Sequence, residues 1–185
     1  MRLMSVTAPV FAFLFTFAAV NSGNASDENL LEVVESVDLD RYLGRWYEIA
    51  SYPAWFQKNC TAVTADYSLR EDGRIKVVNS CRKGALDGKL KQSKGRAKVV
   101  DTTTNAKLKV SFFGPFWGDY WIIDLDPEYQ WVVVGVPNRK YLWILSRTPQ
   151  MDEALFGEIV ARLPGRGYDP GRLNRTLQPE PRGEE

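Results

Sequence analysis

The feature that most constrains the fold is a series of short extended runs between residues 44 and 147, each closed by a turn signal. The runs are RWYEIASY, TAVTADYSL, RIKVVNSC, GRAKVV, AKLKVSFF, DYWIIDL, QWVVVGV and YLWILSR. In the second, Val63, Ala65, Tyr67 and Leu69 share one face while Thr64, Asp66 and Ser68 share the other. That is the period of a half-buried strand. REDG, DTTTN, DPEY and PNRK join consecutive runs at hairpin length, and KGALDGKLKQS reads as a polar loop. Strands linked only to their chain neighbours form an up-and-down meander, and eight of them can close with no edge left unpaired.

Past residue 149 the period changes. MDEALFGEIVARLPG sets Leu155, Ile159, Val160 and Leu163 on one helical face, with Asp152 and Glu153 in the first turn and Pro164–Gly165 as a stop. A short ninth strand is expected near RLNRTLQ, and residues 179–185 read as a disordered tail. The expected fold is therefore all-β: an eight-stranded up-and-down antiparallel β-barrel with a C-terminal α-helix packed outside.

Alternate turns of a meander share an end. The short turns REDG, DTTTN and DPEY gather at one end, which reads as closed. The long aromatic links PAWFQKN, KGALDGKLKQS and FGPFWG gather at the other, which reads as a mouth. Closure makes the first and last strands neighbours, so Trp46 should meet Arg147 at the closed end, guanidinium over indole. Gly44 would let the chain turn tightly across that base.

Composition narrows the chemistry. The chain has no histidine, which removes Ser-His-Asp and Cys-His catalysis and the commonest metal ligand. No metal or cofactor site is expected. Arg2, the apolar run APVFAFLFTFAAV and the small residues NSGNAS have the pattern of a cleaved signal peptide over residues 1–25. The run is shorter than the ~20 residues of a spanning helix. Residues 26–178 then form one domain. Lys and Arg total 24 against 23 Asp and Glu, and Arg2 is the one charge in residues 1–25, so the mature chain is neutral, with no nucleic-acid footprint. Cys60 and Cys81, the two cysteines of an exported chain, read as one disulfide at the mouth. Simple alternation puts them on opposite faces, so the pairing requires a bulge. A catalytic thiol is the alternative, with no histidine to activate it.

Alternation also proposes the inner lining: Glu48, Ala50 and Tyr52; Val63, Ala65 and Tyr67; Val77 and Asn79; Ala97 and Val99; Val110 and Phe112; Trp121 and Ile123; Trp131; Tyr141 and Trp143. A bulge in the first strand would invert its phase. A mostly apolar lining suits an acyl chain, with Glu48, Asn79, Tyr52 and Tyr67 to orient a head group. Trp55, Phe56, Phe116 and Trp117 crowd the mouth as a portal, a rim for peripheral membrane contact, or a homodimer patch.

Three stretches then resemble a known family. YLGRWYEIA carries Gly-x-Trp at Gly44 and Trp46, LDPEY carries Asp126 with Tyr129 before a late turn, and LWILSRTP carries Arg147. In that order and spacing they resemble the marks of the lipocalins, and LKVSFFGPFWGDYW is similar to the bacterial outer-membrane and apolipoprotein D-like groups. The resemblance implies a one-mouthed barrel that carries small hydrophobic ligands, fatty acids or lysophospholipids in the bacterial group. It implies that Gly44, Trp46, Asp126, Tyr129 and Arg147 are structural. A few members have acquired catalysis, so an enzyme acting on a lipophilic substrate is the alternative to a non-catalytic carrier. The bacterial members are typically anchored through an acylated cysteine. No cysteine follows the apolar run here, so the expectation is a periplasmic or secreted protein without a lipid anchor.

Overall fold

The computed structural model describes residues 30–180. The expected signal peptide, residues 1–25, and residues 181–185 of the expected tail lie outside the described residues. Strands β1 (Gly44–Ser51), β2 (Cys60–Leu69), β3 (Ile75–Lys83), β4 (Leu90–Val99), β5 (Lys107–Ser111), β6 (Gly118–Leu125), β7 (Trp131–Gly135) and β8 (Leu142–Ser146) follow one another around the sheet. Pairing of β1 with both β2 and β8 closes it into an eight-stranded antiparallel barrel. A one-turn helix α1 (Leu39–Tyr42) precedes the barrel, and helix α2 (Glu153–Arg162) and strand β9 (Asn174–Arg175) follow it.

The closure is asymmetric. β1 pairs with β2 only over Gly44–Tyr47. Beyond that the two strands diverge, and the C-terminal segment takes the vacated edge. β9 pairs with Ala50 and Ser51, Thr176 N donates to Ile49 O, and Ala62 N donates to Leu177 O. Gln178 ends the seam: its Nε2 donates to the carbonyls of both Glu48 and Val63, each at 2.8 Å. Without these bonds the backbone groups of upper β1 would lack partners in a closed wall.

Two apolar cores lie on either side of the sheet. The inner one includes Trp46, Tyr67, Val77, Leu108, Tyr120, Ile122, Val132, Val134 and Leu145. The outer one packs Ile49, Ala50, Ile123, Val133 and Ile144 against Ile159 and Leu163 of the α2 region. Burying each of these helix side chains contributes about 1.5–3 kcal/mol. Asp152 starts α2, its carboxylate accepting from Leu155 N at 3.0 Å. The following loop is pinned by Tyr168, whose hydroxyl accepts from Val136 N and donates to Val136 O. Gly135 makes room for that ring, since a Cβ there would collide with the Tyr168 hydroxyl.

The outer core corrects several inward assignments. Trp121 pairs with Lys107 and Gly135, and Trp131 pairs with Ser146, all on the outer face. A register shift between Ile122 and Asp124 leaves Ile122 inside and turns Ile123 to the helix. Because α2 covers β6–β8, both faces of these strands are apolar, and alternation carries no phase. In β1 a register shift between Glu48 and Ala50 makes Ile49 the extra residue. Ala50 and Tyr52 therefore join the outer core, and Ser51 takes the inner position opposite Trp143. LKQS, residues 90–93, expected as loop, is the start of β4, hydrogen-bonded along β3. Both its faces are wet near the mouth, so no hydrophobic pattern marks it.

Candidate functional site

The interior is a cup with a sealed floor. Asp38 caps α1, and Leu43 leads into Gly44, whose φ of +98° only glycine adopts easily. Trp46 then enters the barrel fully buried, its Nε1 donating to Tyr42 O at 2.9 Å. The Arg147 guanidinium lies 3.7 Å from the Trp46 ring centroid. Its nitrogens donate to the carbonyls of Tyr129, Arg45, Arg41 and Tyr42. One cation thus ties α1, β1 and the β6–β7 turn together. Asp126 shapes that turn by accepting from the backbone of Glu128 and Gln130, and Tyr129 sits at φ +59° beneath Arg41. Its hydroxyl accepts from Asp38 N at 2.8 Å.

Above this floor three phenols meet. Tyr67 Oη donates to Tyr120 Oη at 2.9 Å, and Tyr42 and Tyr120 share a 2.6 Å hydrogen bond. Burial pushes the Tyr67 hydroxyl up to about 12 and raises those of Tyr42 and Tyr120 well above their ordinary value. All three stay protonated at neutral pH, satisfied by one another. Tyr42 and Tyr120 were not in the lining expected from sequence. Tyr120 would have been found had β6 been phased on Ile122.

The wall above divides in two. Val63, Val77 and Ala97 are buried. Ala65, Val99, Val110, Phe112 and Trp143 pack on the inner core yet stay partly exposed. Ala65 lies beside Trp46 and Val99 ends β4 at the closed end, while Val110, opposite Gly118, Phe112 and Trp143, opposite Ser51, stand toward the mouth. Asn79, paired with Ala65, brings an amide whose Oδ1 is buried without a hydrogen-bond partner among the described residues. At the mouth, Trp55, Phe56, Tyr141 and Trp143 form a chain of ring contacts at 5.6–5.8 Å. Trp55 is 81 % exposed and Phe116 is 77 % exposed. Trp117 departs from the expected portal: it folds down the outer wall, beneath Arg96 and Lys98. Cys60 and Cys81 are joined as a disulfide across β2 and β3. The bulge that pairing requires lies between Thr61 and Thr64, with Ala62 at φ +48°.

A family model described as a lipocalin-like domain matches residues 37–178. The chain is a lipocalin. It is 41% identical over 181 residues to the outer membrane lipoprotein Blc of Escherichia coli, covering 97% of this chain and 99% of that protein. It is 40% identical over 161 residues to the temperature-induced lipocalin-1 of Arabidopsis thaliana, covering 83% and 86%. Mouse apolipoprotein D is 36% identical over 155 residues, with 79% of each chain covered. Among solved structures, insecticyanin from the tobacco hornworm superposes with a TM-score of 0.66 at 18% identity, covering 81% of this chain and 85% of that one. Apocrustacyanin C2 superposes at 0.63 and 17% identity, covering 77% and 80%. These two show the fold alone.

One polar cluster sits high in the wall of this lipocalin. Glu48, opposite Leu145 on the inner face, is only 3 % exposed. Its carboxylate accepts from Ser51 Oγ, Gln57 Nε2 and Thr176 Oγ1. Burial raises its pKa, and the three donors offset part of that rise. The cluster borders a cleft of about 480 Å³ between upper β1, the β1–β2 loop and β9, lined also by Trp55, Lys58 and Arg175. Asp66, on the opposite face of the wall, points outward in an ion pair with Arg45. Thr176 and Gln178 reach Glu48 across the fold and Gln57 reaches it from the adjoining β1–β2 loop, so none of them carries a local sequence signal for this role.

Proposed function

Lipocalins bind small hydrophobic ligands, and we propose that this one binds and carries a long-chain fatty acid or lysophospholipid in the cell envelope. The observation that carries the reading is the contrast inside the cup: a floor closed by Trp46, Arg147 and the three phenols, beneath an upper wall whose Val110, Phe112 and Trp143 remain partly exposed. An acyl chain entering from the mouth gains about 0.8 kcal/mol per buried methylene. About fourteen methylenes, those of a sixteen-carbon acid, give a gross gain of about 11 kcal/mol; micromolar binding needs about 8 kcal/mol net, which leaves about 3 kcal/mol for the ordering cost that head-group contacts do not offset. The head group stays near the mouth, within reach of Asn79 and the Glu48 cleft. The envelope as its place of work accords with relatives named outer membrane lipoprotein.

In this reading Glu48 is a structural acceptor, since both carboxylate oxygens are engaged by side chains of the wall. That favours a carrier over an enzyme. Native mass spectrometry of protein isolated from cells tests the reading, with titration of the tryptophan emission by palmitate and by lysophosphatidylethanolamine. A co-purified acyl lipid and saturable quenching at micromolar concentrations are expected. An empty barrel that also ignores both lipids overturns the proposal.

A further inference from the structure

The chain as a whole is close to neutral, at +1, yet its charge is segregated. The outward positions of β3, β4 and β5 carry Lys76, Lys94, Arg96, Lys98, Lys107 and Lys109, and no Asp or Glu. Of these six, Lys109 is ion-paired, to Asp119. Arg96, Lys98 and Lys107 lie over indole rings, and Lys76 and Lys94 are exposed without a carboxylate partner among the described residues. Lys76, Lys94, Arg96 and Arg70, the last ion-paired with Asp72, line an open groove of about 410 Å³, bounded on its other side by Ser111, Phe112 and Gly114. The β5–β6 loop beside it displays Phe113 and Phe116, each 77 % exposed.

Neither half of this arrangement is explained by the fold. A row of like charges on adjacent strands repels itself and is held against that cost. Two phenylalanines with three-quarters of their surface in water bury little. Together they suit one kind of partner, a surface that is anionic at its face and apolar just beneath. We propose that the β3–β5 wall and the β5–β6 loop dock this lipocalin on a bilayer containing anionic phospholipid. Lipid phosphates lie in the basic groove, and Phe113 and Phe116 enter the head-group boundary. The docked pose lays the side wall along the bilayer, from Arg70 by the β2–β3 turn to the phenylalanines of the β5–β6 loop. The inference concerns the outer wall and stands whatever fills the interior.

Each cation within reach of an anionic bilayer strengthens binding about five-fold, and the attraction is screened by salt. Co-sedimentation with vesicles should therefore show binding to phosphatidylglycerol–phosphatidylcholine mixtures at least ten-fold tighter than to pure phosphatidylcholine. The difference should disappear in about 1 M salt, where the Debye length is about 3 Å. Lys76→Glu, Lys94→Glu and Lys98→Glu together should weaken vesicle binding at least a hundred-fold. Lys140→Glu, placed in the β7–β8 turn, serves as the charge control and should leave most of it. Phe113→Ser with Phe116→Ser should weaken vesicle binding several-fold without changing attraction to a soluble polyanion such as double-stranded DNA. All substitutions are at exposed positions, and unchanged circular dichroism and palmitate quenching separate a docking defect from a folding or cavity defect. The proposal is overturned by equal partition onto neutral and anionic vesicles, by a triple variant that binds as the parent does, or by DNA binding as tight as vesicle binding with no effect of the phenylalanines.

Discussion

The two ends of the barrel are built on opposite rules. At the floor, Trp46 is fully buried and Arg147 spends its donors on four backbone carbonyls. The phenols of Tyr42, Tyr67 and Tyr120 satisfy one another there. At the mouth, Trp55 and Phe116 are largely exposed, β1 and β2 have parted, and the wall is held by a disulfide and by Gln178. The difference separates two tasks. Close packing at the floor sets one native structure, and the looser mouth leaves side chains free to rearrange around a ligand.

Trp46→Ala is the hardest test of this division. Deleting a fully buried indole, with its hydrogen bond and the cation above it, should cost about 3–5 kcal/mol. In denaturant titrations the midpoint should fall accordingly. Ligand preference among chain lengths should stay as in the parent wherever the variant remains folded. A change of preference at near-normal stability would mean that the floor is part of the ligand site.

The mouth's counterpart is Cys60→Ser with Cys81→Ser. The bridge closes a loop of sequence separation 21, so its loss should cost about 3 kcal/mol, mostly by freeing the unfolded chain. Because that term acts on the unfolded state, palmitate affinity should change little. A large loss of affinity with little loss of stability would instead make the bridge a shaping element of the rim.

The same division governs what could be read from the chain. Gly44, Trp46 and Arg147 were legible because they close a meander whose strands announce themselves by alternation, and topology alone brings the two ends together. Val77, Ala97, Val110 and Phe112 were legible for the same reason: β2–β5 have water on one side and the cup on the other. The phase was lost in β6 and β7, where α2 makes Trp121, Ile123, Val133 and Trp131 as apolar outside as Ile122, Val132 and Val134 are inside. It was lost again past Ile49, where one bulged residue exchanges the faces of Ala50 and Ser51. Gln178 stitching Glu48 to Val63 is a contact between distant segments, and no local pattern encodes it.

Glu48 tests how firmly the upper wall is held. Its carboxyl titrates above the ordinary value of 4.5 in the folded chain because burial disfavours the charge. The folded state therefore binds that proton more tightly than the unfolded state. The resulting stabilisation is present below pH 4.5 and lost as pH rises through the folded pKa. Glu48→Gln removes this dependence. Thermal melts across pH 4–8 should show the variant gaining on the parent as pH rises, then holding a constant difference. Two parallel curves would show that the carboxyl does not titrate in this way.

The smallest effect on stability is expected at the outermost ring. Trp55 is 81 % exposed, its recorded ring contact is with Phe56 at 5.7 Å, and it lies in a 3₁₀ turn rather than in the sheet. Removing it deletes little buried area, so Trp55→Ala should change stability by no more than about 0.5 kcal/mol, or one to two degrees in Tm. The same side chain borders the Glu48 cleft and begins the aromatic chain that runs through Phe56 and Tyr141 to Trp143 inside the cup. Its loss should therefore speed ligand exchange, read as a faster recovery of Trp143 emission when a quenching acyl ligand is displaced. Comparing Trp46→Ala with Trp55→Ala places the same truncation at both ends of one strand-and-loop unit. If the mouth variant lost as much stability as the floor variant, the division between a fixed base and an adaptable rim would fail. If exchange alone changed, the rim would be the part of the molecule that governs passage into the cup.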